Sequence, residues 1–474
     1  MKTKLIIFFV LILLPSVIFC QENPPQQNLE GSWMGRITTK EFSLRVLLRF
    51  ELKNGKFKAA LDSPDQGLKD LPLDKVWIEQ DSVFVDATKS LHAGIVFKGK
   101  FLTGDSVIDG IWGGALGLRL SRTNYVFTLK TNLNPEIEGY KIIKLIESTP
   151  IKDQQGTGVC WSYATTSFLE TEAIRLGKDH VVLSPMYFVV STYVDKAEKY
   201  IRMNGKSCFS EGDLTFSVLS AYKKYGAIPE KVYSGKLDSA SRHDHGEMNE
   251  ALLEKVKFYV NSGRGNMTAD GYRKDLNEIL SATMGQAPST FTYQQRLYTP
   301  KSFAAEIIGI NPDDYVEVTS FSHHPFYSRF ILEIESNWNN NSYLNLPLND
   351  FSALVDYSLM HNYSVCWDGD AYRAEGFDNG FAVLNDSINT ISQHMRQTDF
   401  DNFNTVDVHN MHIIGIAENN KGKRFYIIKN SSDAKNCGGY LYMSKDYFLL
   451  KTISVMVNKN AIPKEIKTRV AGVL

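Results

Sequence analysis

The residues best suited to chemistry lie in one short stretch, Asp153-Gln154-Gln155-Gly156-Thr157-Gly158-Val159-Cys160-Trp161-Ser162-Tyr163-Ala164. It reads as a glycine-bearing loop that runs into a helix and leaves one cysteine at the junction. Gly156 and Gly158 permit tight backbone turns. From Cys160 onward Tyr163, Ala164, Ser167, Phe168, Ala173 and Ile174 can share a helical face, and Gly177 supplies a stop. A cysteine at a helix N-terminus meets unpaired backbone N–H groups and the positive end of the helix dipole. Both favour thiolate over thiol. Gln154 carries a side-chain amide that could help hold a developing oxyanion. For an isolated cysteine, the plainer reading is a buried structural residue in a core helix.

A thiolate nucleophile needs a base, and histidine is the usual one. The chain has 10 histidines. His92, His180, His243, His245 and His394 have no special setting and read as surface or satisfied residues. His323-His324-Pro325 sits in a loop with nothing nearby in sequence to complete a site. His409 and His412 fall on an apolar strand, three positions apart, so they face opposite ways. One of them can face a cleft. The next strand, Ile427-Ile428-Lys429, ends in Asn430, whose side-chain oxygen can accept the imidazole's second N–H. Cysteine, histidine and asparagine in that order make a nucleophile, a base and an orienting group.

The elements that must position these residues fall into two domains, as a length of 474 residues leads one to expect. A hydrophobic share of 43% and a charged share of 22% are ordinary for globular protein. The formal net charge of −1 argues against a nucleic-acid partner. Residues 1–20 read as an export signal: Lys2 and Lys4, the apolar run Leu5 to Leu14, then Pro15. Cleavage is expected near Phe19-Cys20-Gln21, giving a secreted or periplasmic protein. Cys20 leaves acylation open, which would make a lipoprotein anchored there. No later stretch is long enough to span a membrane. Cys160, Cys208, Cys366 and Cys437 remain after cleavage. They form neither a disulfide framework nor a zinc pattern, so no metal and no cofactor are expected.

Residues 29–129 carry strand after strand: Leu44 to Phe50 with period two, Phe57 to Leu61, Val76 to Ile78, Val83 to Val85, Ile95 to Phe101, Val107 to Trp112, Leu118 to Leu120 and Tyr125 to Leu129. Short antiparallel strands at this spacing predict a small β-barrel or sandwich. The Leu29-Glu30-Gly31-Ser32-Trp33-Met34-Gly35 opening and the Leu61 to Gly67 segment resemble a barrel-type module found ahead of bacterial exported hydrolases. It shows no catalytic constellation. Residues 130–150, with Asn132, Asn134, Pro135 and Ile142 to Ile146, connect to the second domain, 136–474. There the helix after Cys160 precedes one capped by Ser184 with Pro185 at its first position. A third holds Leu214, Val218, Leu219 and Tyr222. Residues 246–284, 301–310 and 350–360 are helical in pattern. Tyr363 to Trp367, Asn410 to Ala417, Arg424 to Lys429, Tyr440 to Met443 and Ile453 to Val457 are strands. Helices first and strands last predict an α+β domain.

Gln154, Gly158, Cys160, Trp161 and Ser162, then His409 to Gly415, then Lys429-Asn430-Ser431 with Gly439-Tyr440, resemble the papain-like cysteine peptidases. The likeness is nearer to the bleomycin hydrolase and aminopeptidase C branch, whose catalytic histidine also lies far downstream. Thr290 to Tyr293, Tyr343 to Pro347, Val365 to Asp370 and Ile462 to Glu465 resemble it too. The resemblance covers roughly residues 140 to 474. It implies Cys160 as nucleophile, His409 as base and later acid, Asn430 as its orienting partner, and Gln154 with the Cys160 N–H as oxyanion hole. His409 is preferred over His412 because it stands six before Gly415, as the family histidine does. The implied reaction is peptide hydrolysis through a thioester, by an aminopeptidase or oligopeptidase. A histidine-paired cysteine at a helix start can have a pKa of about 3–4, so a resting thiolate–imidazolium pair is one expectation.

Three departures stand out. Ser432 and Asp433 replace the family's tryptophan and glycine, which exposes the histidine–asparagine bond. Thr157 replaces a cysteine common in papain relatives. The C-terminal arm that restricts some members to free N-termini is expected to be shorter. Hexamers are known in the branch, and the β-module could block them. Two rivals therefore stand beside the peptidase: a catalytically impaired peptidase fold that binds peptides, and a transferase whose thioester is captured by an amine.

Overall fold

The structure is a computed structural model. It describes residues 28–38, 43–63, 68–87, 96–102, 106–123, 139–238, 241–262, 269–371, 374–384, 390–432 and 438–474. The expected signal with Cys20, the strand expected at Tyr125 to Leu129, and Asp433 and Cys437 lie outside the described residues. Among the described residues no helix is long and apolar enough to cross a membrane.

The chain divides into two compact units, Met1–Leu129 and Lys130–Leu474. The first unit is all β. Its strands are β1 (Gly31–Thr38), β2 (Ser43–Lys53), β3 (Lys56–Ser63), β4 (Leu68–Pro72), β5 (Lys75–Glu79), β6 (Ser82–Asp86), β7 (Val96–Leu102), β8 (Val107–Trp112) and β9 (Leu116–Arg122). They form one antiparallel sheet in the order β4-β3-β2-β1-β9-β8-β7-β6-β5. The sheet curls until β5 comes against β3, making a half-barrel. Alternate side chains turn inward, as a pleated strand requires. Leu48, Phe50, Val83, Val85, Ile108, Leu118 and Leu120 fill the interior around Trp33, whose indole donates to the Leu29 carbonyl at 2.8 Å.

The second unit opens with β10 (Tyr140–Leu145) and five helices: α1 (Cys160–Arg175), α2 (Pro185–Arg202), α3 (Thr215–Tyr225), α4 (Gly246–Asn261) and α5 (Ala269–Met284). A hairpin of β11 (Phe291–Tyr293) and β12 (Arg296–Tyr298) follows, then the single turn α6 (Pro300–Phe303). The second half holds β13 (Tyr315–Thr319), β14 (Ser328–Ile331), β15 (Ser342–Asn345), α7 (Leu348–Met360), β16 (Val365–Gly369), β17 (Phe381–Ala382), α8 (Gln393–Asp401), β18 (His409–Asn419), β19 (Arg424–Lys429), β20 (Tyr440–Ser444), α9 (Lys445–Lys451), β21 (Thr452–Asn458) and α10 (Lys464–Arg469). Its sheet runs β14-β15-β13-β21-β16-β18-β19-β20-β17, with β10 also paired to β18.

Helix α1 packs on β18 and β16 on one side and on α2 and α3 on the other. It is therefore buried almost all round, rather than along the single face its apolar residues suggest. Its polar side chains are satisfied inside. Ser162 donates to the Pro185 carbonyl at 2.7 Å. Glu170 accepts from Lys152 at 2.8 Å and from the Leu183 N–H at 2.7 Å. Glu172 accepts from Arg175 at 2.8 Å, Tyr315 at 3.1 Å and Asn458 at 3.0 Å.

The structure corrects three expectations. Part of the expected connector at 130–150 is strand β10, antiparallel to the far end of β18. The end of the chain is not all strand: α8, α9 and α10 interrupt it. Ser392 and Ser444 cap the first two, accepting from Met395 N–H at 3.1 Å and Tyr447 N–H at 3.2 Å. Helices this short give too few turns for a periodic pattern to register. In the loop before Cys160, the left-handed residue is Gln155, at φ +60°, and neither Gly156 nor Gly158.

Gly415 is fixed by a close backbone approach where β10 joins β18. A Cβ there would lie 2.4 Å from the Lys144 carbonyl oxygen. Gly415→Ala is expected to lower unfolding stability by about 1–3 kcal/mol, the usual range for overpacking. Urea denaturation measures this, and an unchanged midpoint would mean that β10 yields freely.

Candidate active site

Cys160 begins α1, and its sulfur is buried. Val159 provides no side-chain cap, so the first N–H groups of the helix are open to an anion. The loop before it is braced from two sides. Gln155 accepts from the His243 N–H at 2.6 Å, and the Gly156 N–H donates to the His243 carbonyl at 3.2 Å. Trp161 donates to the Glu211 carbonyl at 3.1 Å, and Glu211 in turn holds His245 at 2.9 Å. A Cβ on Gly158 would come within 3.1 Å of the Glu211 carboxylate, so this glycine serves close packing. His243 and His245 are thus buried supports of the loop. Burial lowers the His243 pKa to about 4.

His409 opens β18, and Asn430 follows the end of β19, the strand paired beside it. His409 Nε2 and Asn430 Oδ1 are 2.7 Å apart, so Nε2–H donates and Nδ1 is left as the basic nitrogen. Asn430 Oδ1 also accepts from the Ser431 N–H at 2.8 Å, and Asn430 Nδ2 donates to Ser432 Oγ at 3.0 Å. Gln154 Nε2 donates to the Thr157 carbonyl at 2.6 Å, and its oxygen accepts from the Ser431 hydroxyl. One Nε2 hydrogen therefore remains for another acceptor. Gln154, Cys160, His409, Asn430 and Ser432 all line one cavity of about 960 Å³. Phe377 lines it as well, edge-on to the His409 ring at 6.5 Å.

His412 faces away, as alternation requires. Its Nδ1 meets Ser167 Oγ at 2.9 Å on the buried side of α1. Lys429 donates to the same hydroxyl at 2.7 Å and to the Thr149 carbonyl at 2.6 Å. Burial brings Lys429 down to about 7. This hidden network ties α1 to the strands that carry His409 and Asn430.

Burial works against the thiolate that a helix start favours. The described side-chain contact of the Cys160 sulfur is Asn410 Oδ1, at 3.8 Å. Burial pushes Cys160 up to about 12, with Asp407 and Asp368 adding to the rise against the N–H groups of Asn410 and Trp161. Burial also lowers His409, against its bond to Asn430. Both shifts favour the neutral thiol and the neutral imidazole over the ion pair, in the cavity that the two residues line. Sequence reading passed over Asp368, Asp407, Asn410 and Phe377. Asp368 and Asn410 lie in stretches that carry the family resemblance, but no role was read for either.

His323 and His324 do acquire a partner. Glu333 accepts from them at 3.1 and 2.6 Å, and these three donors could hold a metal ion. However, Gln397 donates to His323 Nδ1 at 3.0 Å, because its oxygen already accepts from the Ser322 N–H at 2.6 Å. That places the His323 proton on Nε2, the nitrogen a metal would need bare. The cluster reads as a hydrogen-bonded clamp on the cavity wall.

A central helix opening on a cysteine, helices on one of its sides and a mainly antiparallel sheet on the other, define a papain-like cysteine-type peptidase. The sequence profile of the Peptidase C1-like family matches residues 136–472, and the chain belongs to that family. It is 20% identical to an aminopeptidase C of Streptococcus thermophilus over 362 residues, which is 66% of this chain and 81% of that protein. It is 20% identical to the bleomycin hydrolase of Homo sapiens over 380 residues, 68% of this chain and 82% of that protein. A crystal structure of PepW from Lactobacillus rhamnosis superposes with a TM-score of 0.57 at 18% identity, covering 72% of this chain and 86% of that one.

Proposed function

We propose that the protein hydrolyses peptide bonds as an aminopeptidase or oligopeptidase, with Cys160 as nucleophile. The observation that carries this reading is the 2.7 Å bond from His409 Nε2 to Asn430, in the cavity that Cys160 also lines. As the sulfur attacks the carbonyl carbon, its proton passes to His409 Nδ1. The carbonyl oxygen becomes an oxyanion, met by the Cys160 N–H and the spare Gln154 Nε2–H. The imidazolium then protonates the leaving amine, and a thioester remains. His409, neutral again, takes a proton from water as it attacks the thioester; the C–S bond then breaks and the imidazolium returns that proton to the leaving sulfur. We further propose that the protein is exported. Intact-mass analysis of the mature N-terminus tests that and separates plain cleavage from acylation at Cys20.

Hydrolysis is tested with a panel of fluorogenic peptides. Asn430→Ala is expected to lower kcat/KM on the order of 10²-fold, because a misdirected imidazole loses the near-attack geometry. An unchanged rate would remove Asn430 from the site. Adding an amine acceptor and analysing products separates hydrolysis from transfer.

A second reading, a peptide-binding protein of low turnover, is favoured by the contact of the thiol with Asn410. Ser432, where relatives of the resembled branch carry tryptophan, also favours it. Tight peptide binding without turnover would establish it. Leu474 accepts from Lys459 at 3.0 Å and lines a different cavity, with Phe216 and Asp313. Leu474 is not among the residues that line the catalytic cavity.

A further inference from the structure

The catalytic cavity has a one-sided charge. Asp213, Glu333, Glu335, Asp401 and Asp407 line it, and among the described residues no lysine or arginine does. Some of these carboxylates are already matched: Asp213 by the buried Lys196 at 3.0 Å, and Glu333 by the two histidines. Asp407 is different. It accepts from the Ser336 hydroxyl and lies against a second carboxylate, Asp368, with no ion-pair partner among the described residues. Asp368 is fully buried, and Ser454 donates to its Oδ2 at 3.3 Å. No N–H or hydroxyl donor reaches its Oδ1. Burial and Asp407 raise Asp368 well above the usual carboxylate range.

This pair sits next to the nucleophile. Asp368 is the cross-strand partner of Asn410, the residue whose Oδ1 meets the Cys160 sulfur. Asn410 is 1% exposed and lines the same cavity. Its Nδ2 has no hydrogen-bond partner among the described residues. An orphaned buried donor beside an unmatched acid is costly unless an incoming molecule satisfies both. A peptide offers the matching groups: a carbonyl oxygen for Asn410 Nδ2 and a cation for Asp407.

We propose that Asp407, backed by Asp368, binds an ammonium or guanidinium group of the substrate close to the scissile amide, so that the site selects cationic peptides. This rests on the peptidase reading above. The cation has two possible sources, a free N-terminus or a lysine or arginine side chain. Both present the same chemistry to the carboxylate. A bound cation would also cancel part of the negative field that holds the thiol protonated, so the right substrate would help ionise its own nucleophile.

The test uses the full chain and four coumarin-amide peptides: lysine or norleucine next to the scissile bond, each with a free or acetylated N-terminus. Wild-type kcat/KM is expected to favour a cationic member by about tenfold or more, the worth of a hydrogen bond to a charged group. Asp407→Asn is expected to bring that ratio close to one. Loss on acetylation identifies the terminus as the cation, and loss on lysine-to-norleucine exchange identifies the side chain; either supports the proposal. A wild type indifferent to both changes overturns it, as does an Asp407→Asn variant that keeps the preference. The same peptides are titrated calorimetrically into Cys160→Ala protein. This reads charge preference in binding, so a failure of turnover alone counts against the peptidase reading and leaves the cation test intact.

Discussion

Cys160→Ala is expected to reduce peptide turnover by about 10⁴-fold or more, since removing a nucleophile leaves only positioning and the oxyanion donors. His409→Ala is expected to cost a similar factor, and the double variant little more than either single one. The reason is that the two act as a unit. Without Nδ1 the site loses the base proposed to take the thiol proton, and burial makes that proton hard to lose. Without the sulfur, the imidazole has only water to activate. The bond to Asn430 holds the ring whether or not the sulfur is present, so the Cys160→Ala protein should fold normally and bind substrate. A fluorogenic peptide assay at saturating and sub-saturating substrate separates loss of kcat from loss of binding. Full turnover by Cys160→Ala would end the peptidase assignment. Wild-type turnover no greater than that of the variant would leave a binding protein.

Much of this was legible in the chain itself because it depends on local rules. Ser184 before Pro185 declares the start of α2, and the serine accepts from the Tyr187 N–H at 3.1 Å as a cap should. Period-two alternation marks the strands of the β-module. The three-residue offset of His409 and His412 sends one ring into the cavity and the other behind α1. What escaped is what only the fold assembles. Asp368 and Asp407 are 39 positions apart and meet because β16 pairs with the start of β18. Glu333 reaches His323 and His324 because the chain returns past β14. Gln155 takes the left-handed turn ahead of the two glycines because the backbone of His243 holds its side chain there. Strand β10 looked like a linker because its residues alternate only weakly, and it is half-exposed.

The charge state of Cys160 is the second large effect, and it can be measured on the resting protein. Iodoacetamide alkylates thiolate. A thiolate–imidazolium pair would therefore react at a constant rate from acid to neutral pH. Here the sulfur is buried, two acids lie near it, and its described side-chain contact is an amide oxygen. With the thiol pushed up to about 12, the thiolate fraction is small at every accessible pH. It should then grow about tenfold per pH unit between pH 6 and 9. Burial lowers His409, which disfavours the imidazolium that would pair with a thiolate. Labelling at Cys160, followed by peptide mass spectrometry to exclude Cys208 and Cys366, should thus rise about 100-fold from pH 6 to pH 8. A flat profile with stoichiometric labelling at pH 5 would reverse the assignment and restore the ion pair. Asp407→Asn removes one of the negative charges that raise the thiol, so its labelling should be faster than wild type at each pH. The shift has the same sign as the one expected from a cationic ligand. A site that keeps its sulfur protonated until a positive charge arrives is quiet toward stray electrophiles and ready for the substrate it selects.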